Sequence, residues 1–148
     1  MIYRENILIS ACLLGLYCRY DGKIKRLNTV DELIDKYNLI PLCPEIMGGL
    51  GTPRNPAEIS GDKVINNLGQ DVTAYFDRGA KEALKLARLF NCKYAILKER
   101  SPSCGYGKIY DGTFSATLTV GNGKTAELLL ANGIRVLGET EIERLLIP

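Results

Sequence analysis

The chain has 148 residues, of which 46% are hydrophobic and 24% charged, a composition typical of a soluble globular protein. Nineteen Lys and Arg against 17 Asp and Glu give a net charge of +2, which is too small to indicate a nucleic-acid partner. The apolar runs are too short to cross a membrane and the first residues lack a signal-peptide pattern, so we expect a cytoplasmic protein without a membrane partner.

The first half of the chain alternates between predicted strands and a helix. The apolar run over 5–11 is typical of a buried parallel strand, and 29–37 has the periodicity of a helix. Thr29 and Glu32 resemble a capping box at the start of that helix. Its apolar face is predicted to comprise Val30, Leu33, Ile34 and Tyr37. A second strand is predicted over 39–43, before Pro44.

The middle of the chain combines an irregular segment with a long helix. Several Gly and Pro residues predict a loop over 48–61, and residues 64–66 are predicted as one strand of a small hairpin. A helix is expected from Asp71, as its N-cap, to about Asn91. Its predicted apolar stripe comprises Val72, Tyr75, Phe76, Gly79, Ala80, Ala83, Leu84, Ala87 and Phe90.

The last third returns to alternating elements. They are a strand over 94–97, a polar loop over 99–107, a helix over 124–132 that ends at Gly133, a strand over 134–137 and a short helix over 140–146. Strands that alternate with amphipathic helices indicate an α/β fold with a mainly parallel sheet. We therefore predict one Rossmann-like domain over 1–148, built as a layered sandwich.

The chain contains no histidine, which excludes His-based triads, Cys-His dyads and His-ligated zinc. It has five cysteines, at positions 12, 18, 43, 92 and 104. An odd number without a secretion signal favours a reducing compartment over a disulfide framework. Such thiols are core residues, metal ligands or reactive groups. Cys92, at a helix–strand junction, is expected in the core.

Three cysteines follow predicted strands. Cys12, Cys43 and Cys104 stand at strand exits, and the carboxyl ends of parallel strands share one edge, so these thiols are expected to converge. Three thiolates could hold an iron–sulfur cluster with one open, Lewis-acidic iron. With Cys18 as a fourth ligand, the alternative is a non-catalytic zinc or iron–sulfur binding module. A third possibility is a metal-free hydrolase with Cys12 or Cys104 as nucleophile.

Five motifs occur in an order that resembles the domain of unknown function 523 family, which includes a thiouracil desulfidase. They are residues 10–15 with 18–22, Cys43-Pro44-Glu45, residues 51–54, Asp71-Val72-Thr73 and residues 101–105. The resemblance extends from about residue 7 to residue 139. It is specific for the family and less so for the substrate.

This resemblance implies a [4Fe-4S] cluster held by Cys12, Cys43 and Cys104. In the family, the remaining iron is thought to take the sulfur of a small thiocarbonyl substrate. Water supplies the oxygen, so that thiouracil becomes uracil and hydrosulfide leaves without net redox change. A solvent-exposed cluster is expected to be lost from protein prepared in air.

Several polar residues are candidates for the chemistry. The resemblance implies that Glu45 and Ser101 are active-site groups, and a carboxylate is a natural general base in a chain without histidine. Glu45 could otherwise be a helix-start charge. Ser103, Arg54 and Tyr106 are predicted to bind substrate. The alternatives are turn formation for Ser103, a carboxylate partner for Arg54 and simple packing for Tyr106.

Overall fold

A computed structural model describes residues 3–146. In chain order the elements are β1 (Asn6–Ser10), α1 (Val30–Lys36), β2 (Asn38–Leu42), α2 (Pro44–Met47), β3 (Ala57–Ser60), β4 (Lys63–Asn66), α3 (Thr73–Leu89), β5 (Tyr94–Leu97), β6 (Lys108–Tyr110), β7 (Leu118–Val120), α4 (Lys124–Ala131), β8 (Arg135–Gly138) and α5 (Glu143–Leu146). Short 3-10 turns cover Ala11–Leu13 and Glu139–Glu141. Within residues 3–146, no helix has the length and apolarity that crossing a bilayer requires.

A four-stranded sheet in the order β2-β1-β5-β8 forms the centre of the fold, and all its pairings are parallel. Leu8 of β1 pairs with Ile40 on one side and Ala95 on the other. β1 is apolar throughout its middle because both of its faces are covered, and Ile7 and Ile9 are fully buried. The predicted α/β fold with a parallel sheet is confirmed.

The helices cover both faces of this sheet. On one face, the strand residues Leu8, Ala95 and Leu97 pack against helices α3 and α4, which contribute Ala83, Ala87, Ala126 and Leu129. On the other face, the strand residues Ile7, Ile9 and Ile96 pack against α1 and the α5 region, which contribute Leu33, Ile142 and Leu145. This alternation follows from the two-residue period of strands and gives the predicted layered sandwich.

Helix α2 lies against α3 with almost no space between their backbones. A Cβ atom on Gly79 would collide with the carbonyl oxygen of Pro44, and one on Gly48 would collide with the carbonyl oxygen of Tyr75. Glycine is required at both positions because the two backbones approach so closely. The contact fixes α2, and with it Cys43 immediately before the helix.

The predicted helix starts are wrong in detail. Thr29 makes no side-chain cap hydrogen bond, because its φ of −84° and ψ of 0° differ from the extended conformation of an N-cap. Helix α3 begins at Thr73, two residues after Asp71. The Asp71 carboxylate nevertheless accepts hydrogen bonds from the Thr73 amide and hydroxyl, at 2.9 and 2.6 Å. These contacts lower the pKa of Asp71.

Two antiparallel hairpins flank the main sheet. The prediction of an irregular 48–61 segment is wrong for 57–60, because this stretch forms β3 and pairs with β4. The β6–β7 hairpin has no counterpart in the prediction, since its strands have only three residues each.

Three side chains predicted on apolar helix faces are 40% or more exposed, namely Ile34, Tyr75 and Phe90.

The α2–α3 contact predicts a large effect of a small substitution. Gly79→Ala should lower the free energy of unfolding by about 1–3 kcal/mol, because the steric overlap outweighs the higher helix propensity of alanine. Urea unfolding followed by circular dichroism measures the change. Lys81→Ala, on the exposed face of the same helix, is the matched control. An unchanged or higher unfolding midpoint for Gly79→Ala would contradict the close approach.

Candidate metal centre

The carboxyl edge of the sheet gathers the ends of three strands. Strand β1 ends at Ser10 and lies between β2 and β5 in the sheet. The chain therefore continues from β1 to a neighbour on one side and later adds β5 on the other side. Ligands of open α/β sheets bind at such a switch point. Cys12 lies in the turn after β1, Cys43 directly follows β2, and Cys104 belongs to the loop after β5.

A cavity of about 460 Å³ lies at this edge. Four of the five thiols line it, those of Cys12, Cys18, Cys43 and Cys104. Glu45, Arg54 and Ser101 line it as well. Cys92 is instead buried in the core beside α3 and α4, as expected. All five cysteines are free.

The thiol of Cys18 lies between those of Cys12 and Cys43. Hydrogen bonding with Cys12 and Cys43, together with burial, raises the pKa of the Cys18 thiol, and the Cys43 thiol lies 3.8 Å from the Cys18 carbonyl oxygen, to which it donates. The hydrogen bonds with the Cys18 thiol lower the pKa of Cys12 and bring the pKa of Cys43 down to about 6. The Cys43 thiol therefore ionises more readily than an ordinary cysteine thiol.

Cys104 has the opposite environment. Its side chain is 5% exposed, and burial raises the pKa of its thiol. The hydroxyl of Ser10 donates to its sulfur at 3.4 Å and accepts the Lys98 amide at 2.9 Å. The Ser101 hydroxyl accepts the backbone amides of Ser103 and Cys104, at 3.0 and 3.1 Å. Two serines thus fix the turn and the thiol that it carries.

Arg54 orients the carboxylate of Glu45. Its Nε lies 3.3 Å from Glu45 Oε1, and its Nη1 donates to the Cys18 carbonyl at 2.9 Å. Further bonds from Nη1 reach the Gly51 carbonyl and the Thr52 hydroxyl. The Arg54 side chain is only 8% exposed. A buried guanidinium with this many acceptors holds its partners in a fixed geometry.

Other cations around the cavity are also paired with carboxylates. Arg19 makes a bidentate contact with Asp21 at 3.1 and 2.9 Å, which lowers the pKa of that carboxyl. Lys98 Nζ lies 2.9 Å from Glu139 Oε1. These pairs offset part of the positive charge at the rim of the cavity.

Two predicted substrate-binding residues do not line the cavity. Ser103 is fully buried, and its hydroxyl bonds that of Thr125 at 2.8 Å. Tyr106 is 41% exposed and lies outside the cavity lining. Arg54 does line the cavity, but its guanidinium pairs with the Glu45 carboxylate, which was the alternative interpretation of this residue.

Sequence reasoning did not single out several residues that line the cavity. They are Glu58, Lys98, Arg100, Tyr110 and Phe114. Lys98 directly follows strand β5, so its position at a strand exit was a usable signal. Glu58 and Phe114 belong to the two flanking hairpins, whose short strands carry no clear periodicity.

The donor set fits an iron–sulfur cluster. Thiolates are the normal protein ligands of such clusters, and three strand ends present Cys12, Cys43 and Cys104 to one cavity. Within residues 3–146, no three Cys, Asp or Glu side chains are grouped closely enough for a single metal ion.

The low pKa of Cys43 predicts its reactivity in the metal-free chain. Alkylation of Cys43 by iodoacetamide should be half-maximal near pH 6, because the thiolate forms above its pKa of about 6 and is lost below it. Cys18→Ala removes the hydrogen-bond donor and should move this midpoint toward the usual value of about 8.5. Mass spectrometry of the Cys43 peptide measures the rate across pH. Cys92, whose pKa is raised by burial, is the internal control, and a Cys43 midpoint that does not respond to Cys18→Ala would contradict the contact.

Comparisons with known proteins identify the family of the chain. Residues 7–141 match the family model for 2-thiouracil desulfurase. The chain is 42% identical to the uncharacterized protein YbbK of Bacillus subtilis (strain 168), over an alignment that covers 95% of this chain and 99% of that protein. It superposes with a TM-score of 0.91 on the structure of a [4Fe-4S]-dependent thiouracil desulfidase, TudS, at 47% identity, covering 96% of this chain and 95% of that one. The chain therefore belongs to the 2-thiouracil desulfurase family.

Proposed function

We propose that the chain is a [4Fe-4S]-dependent desulfidase that converts a thiolated pyrimidine of the 2-thiouracil kind into the oxo compound and hydrosulfide. The observation that carries this proposal is the convergence of Cys12, Cys43 and Cys104 on one cavity beside Glu45 and Ser101. The family match and the description of TudS as a [4Fe-4S]-dependent thiouracil desulfidase support it. The reaction exchanges C=S for C=O with one water and transfers no electrons overall.

Cys12, Cys43 and Cys104 would hold the cluster, and Cys18 would remain a protonated neighbour. When bound through three thiolates, such a cluster supplies an iron without a protein ligand, a Lewis acid with affinity for sulfur. Ser10 would donate to the Cys104 thiolate as it does to the free thiol. Hydrogen bonds to ligand sulfurs of this kind tune a cluster.

Glu45 is the proposed proton-transfer group. Its side chain is 17% exposed and faces the cavity, and Arg54 engages Oε1. We assign proton transfer to Oε2, which takes the proton of the attacking water and returns it to the leaving sulfur or to the ring nitrogen. Because Arg54 is itself held by three further acceptors, the carboxylate keeps its direction while it changes protonation.

Ser101 is the proposed hydrogen-bond donor to substrate. Its oxygen accepts two backbone amides of the Cys104 turn. The O–H proton is then directed away from those amides, in a residue that lines the cavity. A carbonyl oxygen of a pyrimidine is a suitable acceptor.

A four-cysteine binding module is the second candidate, because Cys18 contacts both Cys12 and Cys43. Iron and acid-labile sulfide, measured after anaerobic reconstitution, distinguish the two functions. We expect about four of each per chain, lost in Cys104→Ala and kept in Cys18→Ala. Cys92→Ala, which removes a thiol outside the cavity, is the matched control. Zinc in place of iron, or loss of iron in Cys18→Ala, would favour the binding module.

The role of Glu45 makes a kinetic prediction. Glu45→Gln should lower kcat for 2-thiouracil by roughly 10²- to 10⁴-fold, because the amide can still accept from Arg54 but cannot carry the proton. The loss of thiocarbonyl absorbance measures turnover, and iron content should stay at the wild-type level. Glu32→Gln, on the exposed surface of α1, serves as the control. A variant with full kcat would exclude Glu45 as the proton-transfer group.

A further inference from the structure

The loop between β6 and β7, residues 111–117, brings an aromatic side chain to the cavity. Phe114 and Ala116 line the cavity together with Tyr110, which ends β6. Phe114 is 40% exposed, although a phenyl ring has no polar atoms that need contact with water. Aromatic side chains that remain accessible inside a cavity are typical contacts for a ligand.

The backbone of this loop is held in an unusual conformation. Phe114 has a φ of +57° and Ala116 a φ of +59°, in the left-handed region that non-glycine residues rarely adopt. A bulky residue in this region is strained, and such strain is concentrated at ligand-binding and catalytic sites. The surrounding structure must therefore hold Phe114 in place.

Glu58 of strand β3 stabilises this conformation of the Phe114 backbone. Its Oε1 accepts the backbone amide of Gly112 at 3.0 Å and that of Phe114 at 3.2 Å. Glu58 is only 9% exposed, so its burial depends on these donors. Gly112 packs so tightly against the Ile59 carbonyl that a Cβ atom would lie 2.7 Å from it. Strand β3 thus fixes the loop from one side.

Hydroxyl groups hold the loop from within. Asp111 Oδ1 accepts the amide and hydroxyl of Thr113 at 3.0 and 2.6 Å, which lowers the pKa of that carboxyl. Thr113 Oγ1 bonds Ser115 Oγ at 2.6 Å, and Ser115 Oγ bonds Thr117 Oγ1 at 2.8 Å. This chain of contacts closes the loop, so that Phe114 is presented by a preorganised segment.

We propose that Phe114 is a specificity-determining residue that stacks on the planar ring of the substrate, and that Glu58 is the residue that positions it. The proposal rests on the desulfidase function and names the substrate class as a flat heterocyclic thioamide, in preference to an acyclic one. Stacking of a base on an aromatic side chain corresponds to about a 5- to 150-fold change in affinity. An acyclic thioamide such as thiourea has no ring to place against Phe114.

Steady-state kinetics of the reconstituted holoenzyme tests the stacking contact. Phe114→Leu should raise KM for 2-thiouracil by about 5- to 150-fold with a much smaller change in kcat, because the leucine keeps the apolar volume and loses the flat face. Phe114→Tyr restores the ring and should recover most of the lost affinity. Phe90→Leu removes a phenylalanine of equal exposure outside the cavity and is the matched control.

The positioning role of Glu58 is tested by a conservative pair. Glu58→Ala should raise KM for 2-thiouracil in the same direction as Phe114→Leu. Glu58→Gln keeps an oxygen that accepts both amides and should give a smaller increase. Equal KM values for the two variants would exclude the amide contacts as the reason for the effect.

Substrate discrimination and product binding complete the test. The ratio of kcat/KM for 2-thiouracil to that for thiourea should fall in Phe114→Leu, and equilibrium dialysis should show weaker binding of uracil. If the wild-type holoenzyme does not turn over 2-thiouracil, the proposed function fails. Uracil binding that Phe114→Leu weakens would still support the stacking contact. Uracil binding that is absent, or equal in wild type and Phe114→Leu, would overturn it.

Discussion

The parallel pairing of β1 with β2 on one side and β5 on the other is the constraint on which the site depends. Parallel strands end at one edge, so each strand exit delivers its next residues to the same place. The pairing is stabilised by burial of β1 on both faces, where Ile7, Leu8 and Ile9 are fully inaccessible. The same apolar strand that stabilises the core therefore also sets the positions of Cys12 and its partners.

The chain has no histidine, and a network of hydrogen bonds fixes the polar groups around this edge of the sheet. Arg54 can be buried because four acceptors surround it, which offsets the cost of removing a charge from water. It connects Glu45 on α2 with the segment that carries Cys18. Ser10 connects the ends of β1 and β5 in the same way. Proton transfer by Glu45 is thus proposed within a scaffold that does not need to rearrange.

The elements predicted from the sequence are those with strong local periodicity. The buried strand at 5–11 and the helix from Asp71 have enough apolar residues at regular spacing to be recognised without tertiary information. Convergence of Cys12, Cys43 and Cys104 followed from topology. The orientation of Ser103 toward Thr125 could not be predicted in this way. Ser101 and Ser103 lie in the same turn, and only the backbone geometry decides which of them faces the cavity.

The contribution of the flanking hairpins was also beyond sequence reasoning. β3 and β6 are four and three residues long, which is too short for a periodic pattern to emerge. Glu58 and Phe114 come together through contacts between separate hairpins, so no local signal links them. The two residues that we assign to substrate selection are therefore visible only in the folded chain.

If Cys12, Cys43 and Cys104 hold the proposed cluster, their wide separation along the chain determines when the cluster can be bound. Closely spaced Cys-x-x-Cys ligands can capture metal while a chain is still unfolded, whereas positions 12, 43 and 104 meet only after non-local strand pairing. Under this proposal, binding of the cluster would follow folding, because β5 must first pair in register with β1. Cluster content would then measure, in the proposed holoenzyme, how much of the protein has formed the parallel sheet.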